Sequence, residues 1–201
     1  MKTFQKIYLL LFSLFLPQLG FADDTILVFG DSLSAGYGIE RESGWVNLLQ
    51  KKLQQDKQKY QVINASISGE TTAGGLRRFK KALNEHRPAI VIIELGANDG
   101  LRGHAPGETE KNLASMIIQA KESKAKVLLL GMRLPPNYGA DYTRKFAGIF
   151  SKLAAKHKVS LVPFMLKDIP DAQFQTDNLH PNAAAQNKIL LNIIKELYSI
   201  L

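Results

Sequence analysis

The chain has 201 residues, of which 45% are hydrophobic and 22% charged, and it contains no cysteine. That length suits one domain with its own buried core, and the composition excludes a disordered tail, a disulfide scaffold, a thiolate metal site and a cysteine nucleophile. The net charge of +8, from 26 Lys and Arg against 18 Asp and Glu, raises nucleic acid or an anionic surface as a partner, so the placement of the charges has to decide.

In chain order, the first element reads as a targeting segment. Lys2 and Lys6 precede the uncharged run IYLLLFSLFL at positions 7–16, Pro17 breaks it, and Gly20 and Ala22 put small residues three and one before a cut. A basic start, a short apolar run and a small-x-small site describe a secretory signal peptide over residues 1–22. The run is shorter than the roughly 20 residues of a membrane span. Cleavage before Asp23 then leaves a single soluble domain over 23–201, periplasmic or secreted, with no stable membrane anchor. Without Lys2 and Lys6 the surplus is +6, spread over helix faces around Arg77, Arg78, Lys80, Lys81, Lys156 and Lys158, with no aromatics interleaved among them in a stacking pattern. That pattern reads as a solvated basic surface rather than a nucleic-acid site.

From residue 25 onward the pattern alternates between strand and helix. Strands are predicted at 25–29 (TILVF), 60–64 (YQVIN), 90–95 (IVIIEL), 126–130 and 160–164. Helices between them are marked by Trp45, Leu48, Leu49 and Leu53, by Leu76, Phe79 and Leu83, and by Leu113, Met116, Ile117 and Ala120. A further helix over 142–157 and a last one carrying Ile189, Leu190, Ile193, Ile194 and Leu197 complete the series. Five such units with near-continuous apolar strands predict an α/β fold: a three-layer α/β/α sandwich around a five-stranded parallel sheet. Ligands of such sheets gather at the carboxyl ends of the strands. The residues just past each strand therefore carry the functional question.

Those positions hold Gly30-Asp31-Ser32-Leu33, then the block from Ala65 to Glu70, then Gly96-Ala97-Asn98-Asp99-Gly100, and, before the last helix, Asp177-Asn178-Leu179-His180-Pro181. In this order the four blocks resemble the SGNH or GDSL hydrolase superfamily, over nearly the whole mature chain. Within it the runs NASISGET, ELGANDGLRG, RLPPNYG and the terminal HPN are most similar to the bacterial thioesterase I/lysophospholipase group, also described as arylesterases. The resemblance implies a flavodoxin-like SGNH hydrolase fold and a serine hydrolase of esters and thioesters.

Chemistry fits each block. A serine at a strand-to-helix turn can have helix N–H groups behind it, but it needs a base to become a nucleophile. Ser32 is the candidate nucleophile and His180, placed at the start of the last helix, the candidate base. Asp177, three residues earlier, can hold the imidazole's tautomer and orientation. The resemblance supplies the oxyanion donors as the Ser32 and Gly69 backbone N–H groups and the Asn98 amide, and glycine at 69 would let a carbonyl approach closely. Taken singly, each block also reads as an ordinary turn or cap; together, at strand ends, they do not.

Other residues are read as structural. Asp31 and Asp99 should brace loops. Glu94, a carboxylate in an apolar strand, needs a partner, and Arg133 after the fourth strand is the candidate. The Gly36-Tyr37-Gly38 run lacks the third glycine of a dinucleotide loop, and the Asn64-Ala65-Ser66 sequon lies too close to the site to carry a glycan. His86, His104 and His157 have no metal-ligand spacing, so neither metal nor cofactor is expected. Two loops, 101–106 and 133–140, should set the substrate through Leu101 and Leu134. The resemblance places the first as a mobile flap beside the acyl chain.

The preferred reading is an exported serine esterase acting on esters and thioesters with apolar acyl chains, lysophospholipids included, and a monomer. The alternatives are a carbohydrate O-acetyl esterase of the cell envelope and a non-catalytic binding module on the same fold.

Overall fold

The computed structural model describes residues 24–201, so the signal-peptide reading of 1–22 lies outside the described residues. Five strands form one sheet: β1 (Asp24–Gly30), β2 (Tyr60–Asn64), β3 (Ile90–Glu94), β4 (Lys126–Leu130) and β5 (Ser160–Val162). All pair in parallel, in the order β2-β1-β3-β4-β5. β3 is buried at every position because helices cover both of its faces, which is why its sequence is apolar without alternation. β5 stops at Val162, two residues short of the predicted end, since Pro163 supplies no backbone N–H to continue the ladder.

The long helices are α2 (Trp45–Gln55), α3 (Thr72–His86), α5 (Pro106–Glu122), α6 (Ala140–His157) and α7 (Gln186–Tyr198). Helices α3, α5 and α6 pack side by side on one face, and α2 meets α7 on the other. Their apolar stripes, such as Leu113, Met116, Ile117 and Ala120 of α5, are buried against the sheet. The predicted three-layer α/β/α sandwich is therefore the observed architecture. No helix among the described residues is long and apolar enough to cross a membrane.

Two short helices were not legible as helices in the sequence: α1 (Ser32–Ala35), one turn after β1, and α4 (Ala97–Leu101), one turn after β3. Asp31 caps α1 by accepting from the Leu33 N–H, and Gly36 closes it in the left-handed region at φ 77°. One basic residue departs from the solvated-surface reading. Arg78 lies over the Phe29 ring, 3.9 Å from its centroid, donates to the Ala65 carbonyl at 2.7 Å and pairs with Glu70. It fastens the segment after β2 to α3 rather than facing water.

Candidate active site

β1 delivers Ser32 to the carboxyl edge of the sheet, where the Asp31 cap fixes the turn. The Ser32 Oγ lies 2.8 Å from His180 Nε2. On the other side of the ring, His180 Nδ1 is 2.6 Å from Asp177 Oδ2. A carboxylate can only accept, so Nδ1 carries the proton and Nε2 is left to accept the Ser32 hydroxyl. The second Asp177 oxygen accepts the backbone N–H groups of Leu179 and His180, both at 2.9 Å. Burial pushes the Asp177 carboxyl up, but these N–H groups and the imidazole outweigh it and hold the carboxyl at about 2. The three residues picked from sequence thus meet in one hydrogen-bonded line.

His180 does not start the last helix, as the sequence suggested. It sits in an irregular stretch before a 3-10 turn at Ala183–Ala185, and α7 begins only at Gln186. That stretch is tied down by an antiparallel bridge between Phe174 and Pro181 and by the Gln175 N–H donating to the His180 carbonyl at 2.7 Å. The Gln175 side chain also donates to the Tyr37 carbonyl at 2.8 Å. The Tyr37 ring stands 4.6 Å from the imidazole, centroid to centroid. Sequence reasoning passed over Tyr37 and Gln175, and a separation of 138 residues leaves no local signal for their contact.

Three groups are expected to donate to an oxyanion, and of these Asn98 lines the same cavity as Ser32. Among the described residues the backbone N–H groups of Ser32 and Gly69 have no protein acceptor. Gly69 has φ +77°, and a Cβ there would touch nothing closer than an Arg102 nitrogen at 3.8 Å. Glycine is therefore required first by the left-handed backbone. The Asn98 amide nitrogen, on α4, donates to Asp31 Oδ2 and to the Glu70 carbonyl, both at 3.1 Å. Asp99, next along α4, accepts both the Thr72 hydroxyl at 2.6 Å and the Thr72 N–H at 2.8 Å, bracing the start of α3 as expected.

The proposed Glu94–Arg133 pair is not formed. Glu94 Oε2 instead accepts from the Ser34 hydroxyl at 2.7 Å and the Asp31 N–H at 3.1 Å. Arg133 is exposed and lies over the Phe164 ring at 5.0 Å. The reason is register: β1 pairs with β3 so that Gly30 stands opposite Glu94, opening space for the carboxylate toward α1 rather than β4. Asn64 of the sequon spends its amide nitrogen on the Ser34 carbonyl at 2.8 Å, so its side chain serves the nucleophile turn.

From Ser32 a cavity of about 350 Å³ runs past Asn98 toward the β5 edge. Leu101 and Leu134 line it together with Met132, Phe164, Leu166 and Phe174. The last three follow the end of β5, a strand end the sequence reading left unexamined. Leu101 closes α4 rather than opening a loop, and Tyr138 pins its carbonyl through a hydroxyl hydrogen bond of 3.1 Å. The loop expected over 101–106 is thus limited to Arg102–Ala105, between α4 and α5. Past Arg133 and Phe164 the cavity adjoins an open groove of about 570 Å³ along α7. Among the described residues no group of three or more His, Cys, Asp or Glu could hold a metal ion.

The sequence profile of the GDSL-like lipase/acylhydrolase family matches residues 28–188. The esterase TesA of Pseudomonas aeruginosa is 50% identical over 182 residues, covering 90% of each chain. Thioesterase 1/protease 1/lysophospholipase L1 of Escherichia coli K12 is 43% identical over 189 residues, covering 92% of this chain and 89% of the relative. A crystal structure of TesA superposes with a TM-score of 0.87 at 49% identity, covering 89% of this chain and all of that one.

Proposed function

Because the chain belongs to the GDSL-like lipase/acylhydrolase family and is a serine hydrolase of the esterase and thioesterase kind, we propose that Ser32, His180 and Asp177 are its catalytic triad. The observation that carries this reading is the unbroken line from Ser32 Oγ through the imidazole to Asp177, at 2.8 and 2.6 Å. In this reading His180 Nε2 takes the Ser32 proton as Oγ attacks the acyl carbonyl carbon. The carbonyl oxygen becomes an oxyanion that receives the N–H groups of Ser32 and Gly69. Asn98 adds its amide by exchanging the Glu70 carbonyl for the substrate oxygen. His180 then gives its proton to the departing alcohol or thiol, and water releases the acyl group from Ser32 by the same steps.

The cavity supports a preference for apolar acyl chains. Its walls of Leu101, Met132, Leu134, Phe164, Leu166 and Phe174 extend well beyond what an acetyl group fills. Esters and thioesters of medium or longer acids, lysophospholipids among them, are the substrates this shape fits, and they speak against a dedicated acetyl esterase. No cofactor takes part. The segment 1–22 directs export, and the mature enzyme works as a monomer in the periplasm or medium.

A fluorophosphonate probe tests the nucleophile. It should label Ser32 covalently, and Ser32→Ala should lower ester hydrolysis by at least about a thousandfold, because members of a triad act as a unit. Labelling at Ser34, Ser66 or Ser68 would overturn the assignment.

A further inference from the structure

Beneath the proposed machinery lie two carboxyl groups that no step above employs. Asp31 and Glu94 are both fully buried, and the Asp31 N–H donates to Glu94 Oε2 at 3.1 Å. Glu94 Oε2 is satisfied by Ser34 and the Asp31 N–H, but its other oxygen, Oε1, is buried with no partner if both groups are ionised. Two adjacent carboxylates shielded from water cannot both keep their charge. One proton between them removes the conflict, and a proton on Oε1 would turn that unpartnered acceptor into a donor. Burial pushes both carboxyls up, Glu94 further, with the Asp31 charge adding to the effect. His180 is the remaining titratable group acting on Asp31, and it favours the ionised form there.

What Asp31 does with its charge is visible in its other contacts. Oδ1 accepts the Leu33 N–H at 3.1 Å, and Oδ2 accepts from the Asn98 amide nitrogen at 3.1 Å. An asparagine amide can rotate to present either its N–H edge or its carbonyl. Beside an acceptor-only carboxylate, only the N–H edge is tolerated.

We propose that Glu94 keeps the pair's single proton and donates it to Asp31, so that Asp31 remains a carboxylate that locks the Asn98 amide with its N–H groups toward the reacting carbonyl. The inference rests on the catalytic reading above. Asp31 and Glu94 are positioning residues, acting on substrate through Asn98 and the Ser32 turn.

The test compares Asp31→Asn, Glu94→Gln and Glu94→Leu with the wild type, using kcat and KM for a short aryl ester and thermal melting to verify folding. Asp31→Asn can donate where the native group only accepts, so the amide is free to turn its carbonyl to the site. Its kcat should fall roughly ten- to a hundredfold, toward the loss of a whole oxyanion donor, with KM nearly unchanged. Glu94→Leu removes the donor and should fall in the same way. Glu94→Gln restores a donor toward Asp31 and an acceptor for Ser34, and should recover about tenfold or more of that kcat loss.

A folded Glu94→Gln protein no better than Glu94→Leu, or an Asp31→Asn protein with wild-type kcat, would overturn the proposal. If Glu94→Leu fails to fold, Asp31→Asn decides alone. Fluorophosphonate labelling of the wild type separates the two levels. Absence of label on Ser32 sinks the catalytic reading, whereas a labelled Ser32 with an indifferent Asp31→Asn sinks only the positioning role.

Discussion

Leu101 and Leu134 line the same cavity but should respond differently to truncation. A methylene taken fully out of water contributes about 0.8 kcal/mol, close to fourfold in kcat/KM, and roughly half of that in a groove open along one side. Going from an acetyl to an octanoyl ester adds six methylenes, so the wild type should gain about sixtyfold. Leu101 is half-buried at the end of α4 and offers its side chain to the cavity. Leu101→Ala should therefore shrink the gradient to about tenfold while acetyl turnover stays near its original value. Leu134 is different because its methyls fill the space over Gly100: a Cβ added at Gly100 would stand 2.6 Å from Leu134 Cδ2. Leu134→Ala would leave a void under the helix that carries Asn98, at a cost of about 2 kcal/mol or more. Acetyl and octanoyl turnover should fall together in that variant. The assay is kcat/KM over a series of p-nitrophenyl esters. A full gradient in Leu101→Ala, or a loss confined to long chains in Leu134→Ala, would refute this account of the walls.

Three further expectations concern stability and processing. The Asp177 carboxyl is held at about 2, below its ordinary 3.8, so its ionised form favours the folded state above that ordinary value and the contribution disappears as the pH falls through about 2. Denaturant melts of wild type and Asp177→Asn should differ most above pH 4 and converge as the pH falls toward 2; a gap independent of pH would contradict this. Gly30→Ala would place a Cβ 2.5 Å from Glu94 Oε2 and 2.9 Å from Ser34 Oγ, an overpacking that should cost about 1–3 kcal/mol in chemical denaturation; an unchanged midpoint would show that the carboxylate can move aside. Intact-mass measurement of the exported protein should match a chain starting at Asp23, and a mass that includes residues 1–22 would mean an anchor instead.

The sheet was legible because its central strand is apolar at four consecutive positions, Ile90 to Ile93, a pattern that only two-sided burial explains. The proposed triad was legible because parallel strands put their following residues at one edge, and the proposed oxyanion donors because the blocks at that edge resemble a known family. Register was not legible. Nothing local says that Gly30 stands opposite Glu94, so Arg133, adjacent in the expected strand order, looked like the natural partner. The short helices were hidden for another reason: four or five residues are too few to show a 3.6-residue period, although the Asp31 cap and Gly36 stop were in plain view. Arg78 was misread because a helix-face pattern distinguishes inside from outside, and cannot show that a long side chain folds back onto Phe29.

The proposed nucleophile and base are mounted on supports of unequal strength. Ser32 follows a strand flanked on both sides by hydrogen-bonded neighbours. Asp177 and His180 hang in the irregular span between Val162 and Gln186, held by the Phe174–Pro181 bridge, two short turns and the Gln175 contacts. Few buried apolar groups secure that span, so it should open at lower free energy than the sheet. Heat or denaturant would then disarm the protein before unfolding it, by letting the imidazole swing away from an intact serine. The same division lets mutations in the span retune working temperature while the sandwich beneath keeps its own melting point.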